Sequence, residues 1–380
     1  MNRIKQLILC LAVMLLATVA SPLYAQAPIS ADTHEKAQAE EEKGFNTVEF
    51  LFGHIGDSYE FHITEINGKP IAVPLLVIVR SADRGWFAFS SAKLEHGREY
   101  KRFFIPTEGA YKGKVVEKDQ YGNIKRPFDL SITKNVFGLL LSCAILLTIF
   151  LLMANAYRKN PLGVPSKGQS MMESVILYLE DDIIRPALGD KSRRFSPYLL
   201  TVFFFILVNN LMGLVPIFPF GANLTGNISV TLVLALFTYV ITNVFGTKTY
   251  WKDIFWPEVP VFLKTPVFPL MQVIEFISTL TKPIALMIRL FANIFAGHMI
   301  ILVLISLIFI FSAAFPAHAS AVGGGTAVLS VLFSVFMYCL ELLVAFIQAY
   351  VFTMLSAIFI GLAQHEEHEE AHEEIPVETK

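Results

Sequence analysis

Apolar and polar positions follow three different rhythms along this chain, and each predicts a different kind of element. The first rhythm is a single apolar run, Leu7 to Ala20, behind a short basic start (Arg3, Lys5) and ahead of Leu23-Tyr24-Ala25. It predicts a secretory signal peptide over 1–27, cut near Ala25 or Ala27, with a first membrane anchor as the alternative. Cys10 follows Leu9 rather than a small residue and lies too early for a lipoprotein site. A polar, acidic stretch (HEKAQAEEEKG) then reads as a flexible leader over 28–45.

The second rhythm has period two. From about 46 to 128, short β-branched or alternating runs (YEFHITEI, IAVPLLVIV, GWFAFSS, EYKRFFIP, YKGKVVEK) are separated by NGKP, ADRG and QYGN. That pattern, with its turn residues, predicts a small β-rich domain outside the membrane, within a unit spanning 28–130. It contains no catalytic or metal-binding constellation, and His54 and His62 read as ordinary strand or surface residues.

The third rhythm is long and apolar. Val136–Met153, Pro197–Pro216 and Ile228–Phe245 are three candidate spans, and the amphipathic Met171–Ile184 suits a membrane surface. Two longer segments follow, Pro266 to about Phe315 (with Pro269 and Pro283) and Thr326 to about Ala363. As one helix the latter would be about 57 Å long against about 30 Å of hydrocarbon, so it must tilt or bend. Fold class follows: an all-α polytopic membrane domain over 131–363 with five spanning helices, the last two long and tilted, plus the β-rich extramembrane N-terminal domain.

Composition sharpens this picture. The chain has 380 residues, 54% hydrophobic and 16% charged; soluble domains carry about 25% charged residues. A net charge of −2 and the lack of a basic stripe interleaved with aromatics give no footing for nucleic-acid binding. Cys10, Cys143 and Cys339 lie in separate apolar runs, which argues against a disulfide framework or a cysteine metal site. Lys and Arg concentrate in the loops 155–196 and 247–265, whereas FPFGANLTGN and PAHASAVGGG carry none. The basic loops are therefore expected in the cytoplasm, with the N-terminus outside and the C-terminus inside, in a bacterial inner membrane. The tail over 364–380, QHEEHEEAHEEIPVETK, contains His365, His368 and His372 among glutamates and reads as a solvated acidic segment rather than a metal site.

Few polar residues enter the two long segments. Arg289 sits in the middle of KPIALMIRLFANIFAGH with no acid nearby in sequence. A mid-membrane arginine costs about 2.5–3.5 kcal/mol on insertion scales and persists where a water-filled cavity or an anionic partner receives it. On an ideal helix Glu275, Arg289 and Asn293 lie within about 40° of one another, and His298 lies about 180° from Arg289. Glu341 and Gln348 share a face of the last helix, with Tyr338 one turn away. A His298–Glu341 contact suits either a structural pair or a proton relay, and Asn293 and Gln348 suit either interhelical packing or a polar path. A self-contained transporter or channel holding an anionic substrate on Arg289 is the alternative from another class, although no internal repeat relates the two halves. A third reading makes the chain a membrane scaffold whose β-rich domain is the active part.

Several pieces resemble subunit a, the membrane stator subunit of F-type ATP synthases: GVP at 163–165, SPYLLTVFFFILVNNLMGLVP at 196–216, GNISVTLVLALF at 226–237, EFISTLTKPIALMIRLFANIFAGH at 275–298, and IQAYVF at 347–352. The resemblance covers about 130–363. It implies a subunit with two offset proton half-channels, facing a ring of c subunits that each carry a membrane carboxylate, and working beside the b-subunit stalk and other synthase subunits. By resemblance Arg289 is the cation that meets the ring carboxylate and blocks a proton shortcut. Glu275 belongs to the cytoplasmic exit, and Asn293, His298, Glu341 and Gln348 to the external half-channel. Many bacterial relatives carry an acid where this chain has His298 and a histidine where it has Glu341. No cofactor is implied, and without a GxxxxGK[ST] loop nucleotide chemistry falls to partner subunits.

Overall fold

A computed structural model describes residues 56–364, except 67–68, 82, 95–96, 107–108, 110, 120–121, 162, 216–217, 256–269 and 315–318. The signal peptide, the leader, His54 and the acidic tail with its three histidines lie outside the described residues.

The described residues of the period-two region form three small sheets. An antiparallel hairpin joins β1 (Glu60–Ile66) and β2 (Lys69–Pro74). β3 (Leu76–Ser81) pairs with β4 (Gly85–Ser90) and, across a long connection, with β8 (Phe128–Asp129). β5 (Phe103–Phe104), β6 (Val116–Lys118) and β7 (Ile124–Lys125) form the third. Alternation on β3 puts Val77 and Val79 into a core with Tyr59, Phe89, Leu94, Phe103 and Val115. Two of the expected turns fall where the sequence places them, with Gly85 (φ 82°) and Gly122 (φ 79°) supplying the left-handed conformation.

Among the described residues, eight α-helical segments follow. α1 (Lys134–Lys159) is capped by the Thr133 hydroxyl, and α2 (Lys167–Leu179) by a Ser166/Gln169 capping box. A π turn over Glu180–Ile184 and α3 (Arg185–Leu188) lead into α4 (Ser192–Leu214). α5 (Ile228–Val244) bends by 102° into α6 (Lys248–Phe255). The last two helices are α7 (Leu270–Ala314) and α8 (Ala319–Gln364). Among the described residues four stretches are each long and apolar enough to cross a membrane, five when the bent α5–α6 pair is counted as one span. The amphipathic stretch expected at 171–184 buries Leu179, Ile183 and Ile184 while leaving Met171 and Leu177 exposed.

The core is built around α4, whose Leu199, Val202, Phe203, Phe205 and Ile206 are fully enclosed. Phe150 of α1 meets Phe204 edge-on at 5.2 Å. Tyr198, Thr238 and Ser356 link α4, α5 and α8 through hydroxyl contacts of 2.9 and 3.2 Å, and Ala345, Ala349 and Ala357 let α8 approach closely. Small residues and short hydroxyls are how helices associate where the surroundings are as apolar as the side chains. By contrast α7 and α8 have only 22% and 17% of their central windows buried.

One boundary differs from expectation. α8 begins at Ala319 and runs through Gly323–Gly325, where the sequence predicts a connector. Glycine costs about 1 kcal/mol per helical position, but extending a helix already nucleated by the apolar segment is cheap compared with starting one.

The β region is fastened to the membrane helices. The Lys134 amide donates to the Ser58 carbonyl (2.9 Å), the Asn135 amide donates to Asp57 (3.1 Å), and Phe218 meets Phe61 and Phe137. Burial raises the Asp57 carboxyl above its ordinary 3.8, only partly offset by the Asn135 amide, the Thr133 hydroxyl, Lys114 and Lys134. The folded chain therefore holds this proton more tightly than the unfolded chain. Its contribution is complete below about pH 4 and declines as the pH rises through the raised value. Asp57→Asn keeps the accepting oxygen without the charge. It is expected to raise the thermal unfolding temperature of the detergent-solubilised chain by about 2–4 °C at pH 7 and to leave it unchanged at pH 3.5. Scans at the two pH values check this.

Candidate functional site

The sequence of α7 divides it into two walls. Leu286, Leu290, Ile294 and Ile301 recur at helical spacing and are buried against the neighbouring helices. Arg289 is exposed on the other wall beside Ile284 and Ile288, which are 40% and 52% exposed. Among the described residues Arg289 has no ion pair and no hydrogen bond. The acids of α7 and α8 lie elsewhere: Glu275 is about 21 Å away along the helix axis, and Glu341 faces His298. Among the described residues, Arg289 is thus a permanent cation without a partner, turned outward from the middle of a long apolar helix.

On the C-terminal side of Arg289 a polar cluster joins α4, α7 and α8. His298 Nδ1 lies 2.5 Å from Glu341 Oε1, and Nε2 lies 3.3 Å from the Gly213 carbonyl. A carbonyl can only accept, so Nε2 carries a hydrogen in that contact. Nδ1 is thereby turned to the Glu341 carboxyl. The approach is off the axis of a good hydrogen bond, and Nδ1 and both Glu341 oxygens keep unmet bonding capacity although Glu341 is 4% exposed. This is chemistry suited to receiving and releasing a proton.

Gly297 makes room for it. A Cβ there would lie 2.9 Å from Glu341 Oε1 and 3.1 Å from Cδ. One turn along, Asn293 Nδ2 donates to Gln348 Oε1 at 3.3 Å, and Gln348 Nε2 has no protein partner among the described residues. Tyr338 is half-buried one turn from Glu341. Asn210 of α4 donates to the Ala345 carbonyl (3.3 Å) and accepts from Thr225 (2.7 Å), so it joins the same wall between Glu341 and Gln348. Sequence reasoning missed Asn210 and the Gly213 carbonyl. Adjacent asparagines inside an apolar run were the available signal for the first, whereas a backbone carbonyl leaves none.

On the N-terminal side of Arg289, Glu275 is half-buried, and the Thr279 hydroxyl donates to its carbonyl at 3.0 Å. A narrow crevice lined by Asn243, Tyr250, Thr279, Lys282 and Pro283 opens within two turns of it. Lys282 lies 5.7 Å over the Phe359 ring. It too was missed, though Glu275, Lys282 and Arg289 recur every seven residues and so share a face. The structure thus brings together His298 with Glu341 and Asn293 with Gln348. It keeps Glu275 in a separate group beyond the arginine.

Two polar groups on either side of a bare mid-span cation, on long helices whose outer walls are largely uncovered, define an ion-conducting subunit of a larger membrane assembly. The comparisons with known proteins agree. The chain belongs to the ATP synthase A chain family, whose model matches residues 136–361. Residues 50–132 match a second model, described as a domain of unknown function (DUF8433). "ATP synthase subunit a" of Chlorobium phaeobacteroides (strain DSM 266) is 43% identical over 262 residues, 67% of this chain and 73% of the relative. That of Chloroherpeton thalassium is 41% identical over 252 residues (66% and 72%), and that of Myxococcus xanthus 35% over 288 residues (73% and 90%).

Proposed function

We infer that this chain is the proton-translocating stator subunit of an F-type ATP synthase, working in the membrane with the other subunits of that complex. The observation that carries the residue-level reading is Arg289: an exposed mid-span guanidinium with no partner among the described residues of its own chain needs an acid supplied in trans. A carboxylate on a rotating ring of c subunits meets that need. Each carboxylate, having lost its proton, is drawn to Arg289 and passes it before being protonated again. Arginine suits this role because its guanidinium stays charged at any working pH, whereas a buried lysine can lose its proton.

His298, Glu341, Asn293, Gln348 and Asn210 form the half-channel reached from outside, with the His298–Glu341 pair relaying the proton. Glu275, with the crevice beside Lys282, forms the half-channel to the cytoplasm. This orientation rests on the basic loops 155–196 and 247–265 lying inside, with the N-terminus outside and the C-terminus inside. Each proton crossing with the field contributes about 2.3 kcal/mol per 100 mV, so several crossings drive one ATP made elsewhere in the complex. The b-subunit stalk is a further expected partner, and the β region, part of the unit expected over 28–130, belongs on the external side. A self-contained transporter is not supported, because the family and the uncovered outer walls of α7 and α8 both point to an assembly.

Disulfide trapping in the assembled complex tests the ring contact. With Cys143 and Cys339 replaced by serine, Ile288→Cys is expected to cross-link to a cysteine placed one turn from the ring carboxylate, and Leu290→Cys is not. Equal trapping from the buried Leu290 position, or none from Ile288, would put the ring on another face.

A further inference from the structure

Buried hydroxyls of the membrane helices commonly fold back on their own backbone. Ser142 donates to the Leu139 carbonyl (2.9 Å), Thr242 to that of Thr238 (2.8 Å) and Ser306 to that of Val303 (2.9 Å), which is how an apolar helix satisfies such a group. Ser330 and Ser334 of α8 do not. They are 2% and 9% exposed, and among the described residues neither Oγ has a hydrogen-bond partner. Thr353 lacks one too, but it lies about 120° round the helix from Glu341.

The two serines share a face with residues already placed in the polar cluster. At 100° per residue Ser330, Ser334, Glu341 and Gln348 fall within about 40° of one another. Both Glu341 oxygens and Gln348 Nε2 are likewise buried with unmet bonding capacity. The neighbouring stretch of α7 offers nothing to bind, being apolar from Met299 to Ile305. A buried polar group left unmet costs about 1–3 kcal/mol, and a row of them on one stripe is met by water that bridges several at once.

The spacing suits such a bridge. Ser330 to Ser334 rises about 6 Å and Ser334 to Glu341 about 10.5 Å, gaps that about one and about three waters fill at ordinary hydrogen-bond lengths. The half-buried Tyr338 stands beside the second gap. Beyond Ser330 the helix passes through Gly324 and Gly325, where an added Cβ would meet nothing within 4 Å. The stripe thus leads from an open stretch of helix to the His298–Glu341 pair. A hydroxyl both accepts and donates, so water held on these serines can pass a proton on without either serine ionising.

We propose that the outer half-channel, on the function inferred above, runs between α7 and α8 along a file of water held by Ser334 and Ser330, and opens beside the glycine stretch of α8.

Thiol accessibility tests this. With Cys143 and Cys339 replaced by serine, Ser330→Cys, Ser334→Cys and Leu332→Cys are each treated, in spheroplasts carrying the assembled complex, with a membrane-impermeant cationic methanethiosulfonate, and the modified peptide of this chain is quantified by mass spectrometry. Leu332 is the control, 66% exposed on the opposite wall of α8. The reagent attacks the thiolate, which forms where water reaches it, so both serine positions should react at least about tenfold faster than Leu332→Cys. In inverted vesicles, where the reagent meets the cytoplasmic face, they should not. Modified Ser334→Cys should stop pumping, and reduction should restore it. Ser334→Ala keeps the packing and removes the hydroxyl, so pumping per assembled complex should fall about two- to tenfold. The route is overturned if the serine positions react no faster than Leu332→Cys, if they react only from the cytoplasmic face, if modified Ser334→Cys still pumps, or if Ser334→Ala pumps at the wild-type rate. Arg289→Ala in the same membranes keeps the two readings apart. Loss of pumping there beside unreactive thiols removes this route and leaves the subunit's function standing, whereas normal pumping there removes both.

Discussion

Membranes carrying the assembled synthase with Arg289→Ala are expected to show no ATP-driven proton pumping above background and no ATP synthesis. The magnitude follows from the position of the charge. Among the described residues of its own chain Arg289 has no partner, and on the proposed function its compensation is a ring carboxylate, in a site that water screens weakly. Removing one partner of a buried pair costs about 3–5 kcal/mol, a factor of about 10²–10⁴ in the step that depends on it. Fluorescence quenching of a pH-sensitive dye in inverted vesicles measures this, with immunoblots of the purified complex showing that assembly is normal. Arg289→Lys should restore little, because an ammonium lacks the bidentate fork and its charge is not guaranteed at this depth. Pumping within about twofold of wild type in Arg289→Ala would assign the arginine to structure.

The second large effect belongs to the His298–Glu341 pair. Glu341→Gln or His298→Gln is expected to slow proton-coupled turnover by about 10²-fold, the lower end of what a positioned proton donor or acceptor contributes. The double exchange His298→Glu with Glu341→His keeps an imidazole and a carboxyl in contact and should recover to within about tenfold of wild type. Gly297 leaves the space that the pair needs, so the exchange is made with that glycine intact. A structural role makes a different prediction. The single variants would then lower the amount of assembled complex while each assembled complex pumped normally. Pumping rate per assembled complex therefore separates the two.

Much of the membrane domain was legible in the sequence because a bilayer leaves the backbone so little choice. Every amide must be satisfied within a helix, so uninterrupted apolar runs mark spans directly, and a single arginine in such a run stands out. The turns of the β region were legible for a similar reason, since Gly85 and Gly122 supply conformations that other residues adopt at a cost. The rest depended on contacts between distant segments. The pairing of β3 with β8 joins residues about fifty positions apart, and neither strand carries a mark of its partner. Gly213 contributes only a carbonyl to His298, so its part is invisible in a string of side chains. The 102° bend between α5 and α6 follows an apolar run that gives no direction for its exit. Lys282 was overlooked because it reads as an ordinary cation near a helix end, until its spacing from Glu275 and Arg289 is set against the crevice it lines. The two-residue turn between Tyr100 and Phe103 escaped for the opposite reason: Lys101 (φ 52°) and Arg102 (φ 68°) contradict the backbone they adopt.

The central claim is that Arg289 keeps two polar paths apart while a carboxylate from another subunit passes it. Passive proton permeability of vesicles containing the assembled complex tests this most directly, measured without ATP after a valinomycin-driven potassium potential is imposed. Arg289→Ala should raise the leak several-fold, and the leak should return to the wild-type level when Glu341→Gln closes the outer path in the same chain. A leak unchanged by Arg289→Ala would mean that the two polar groups are not halves of one interrupted path and that the arginine does not hold them apart.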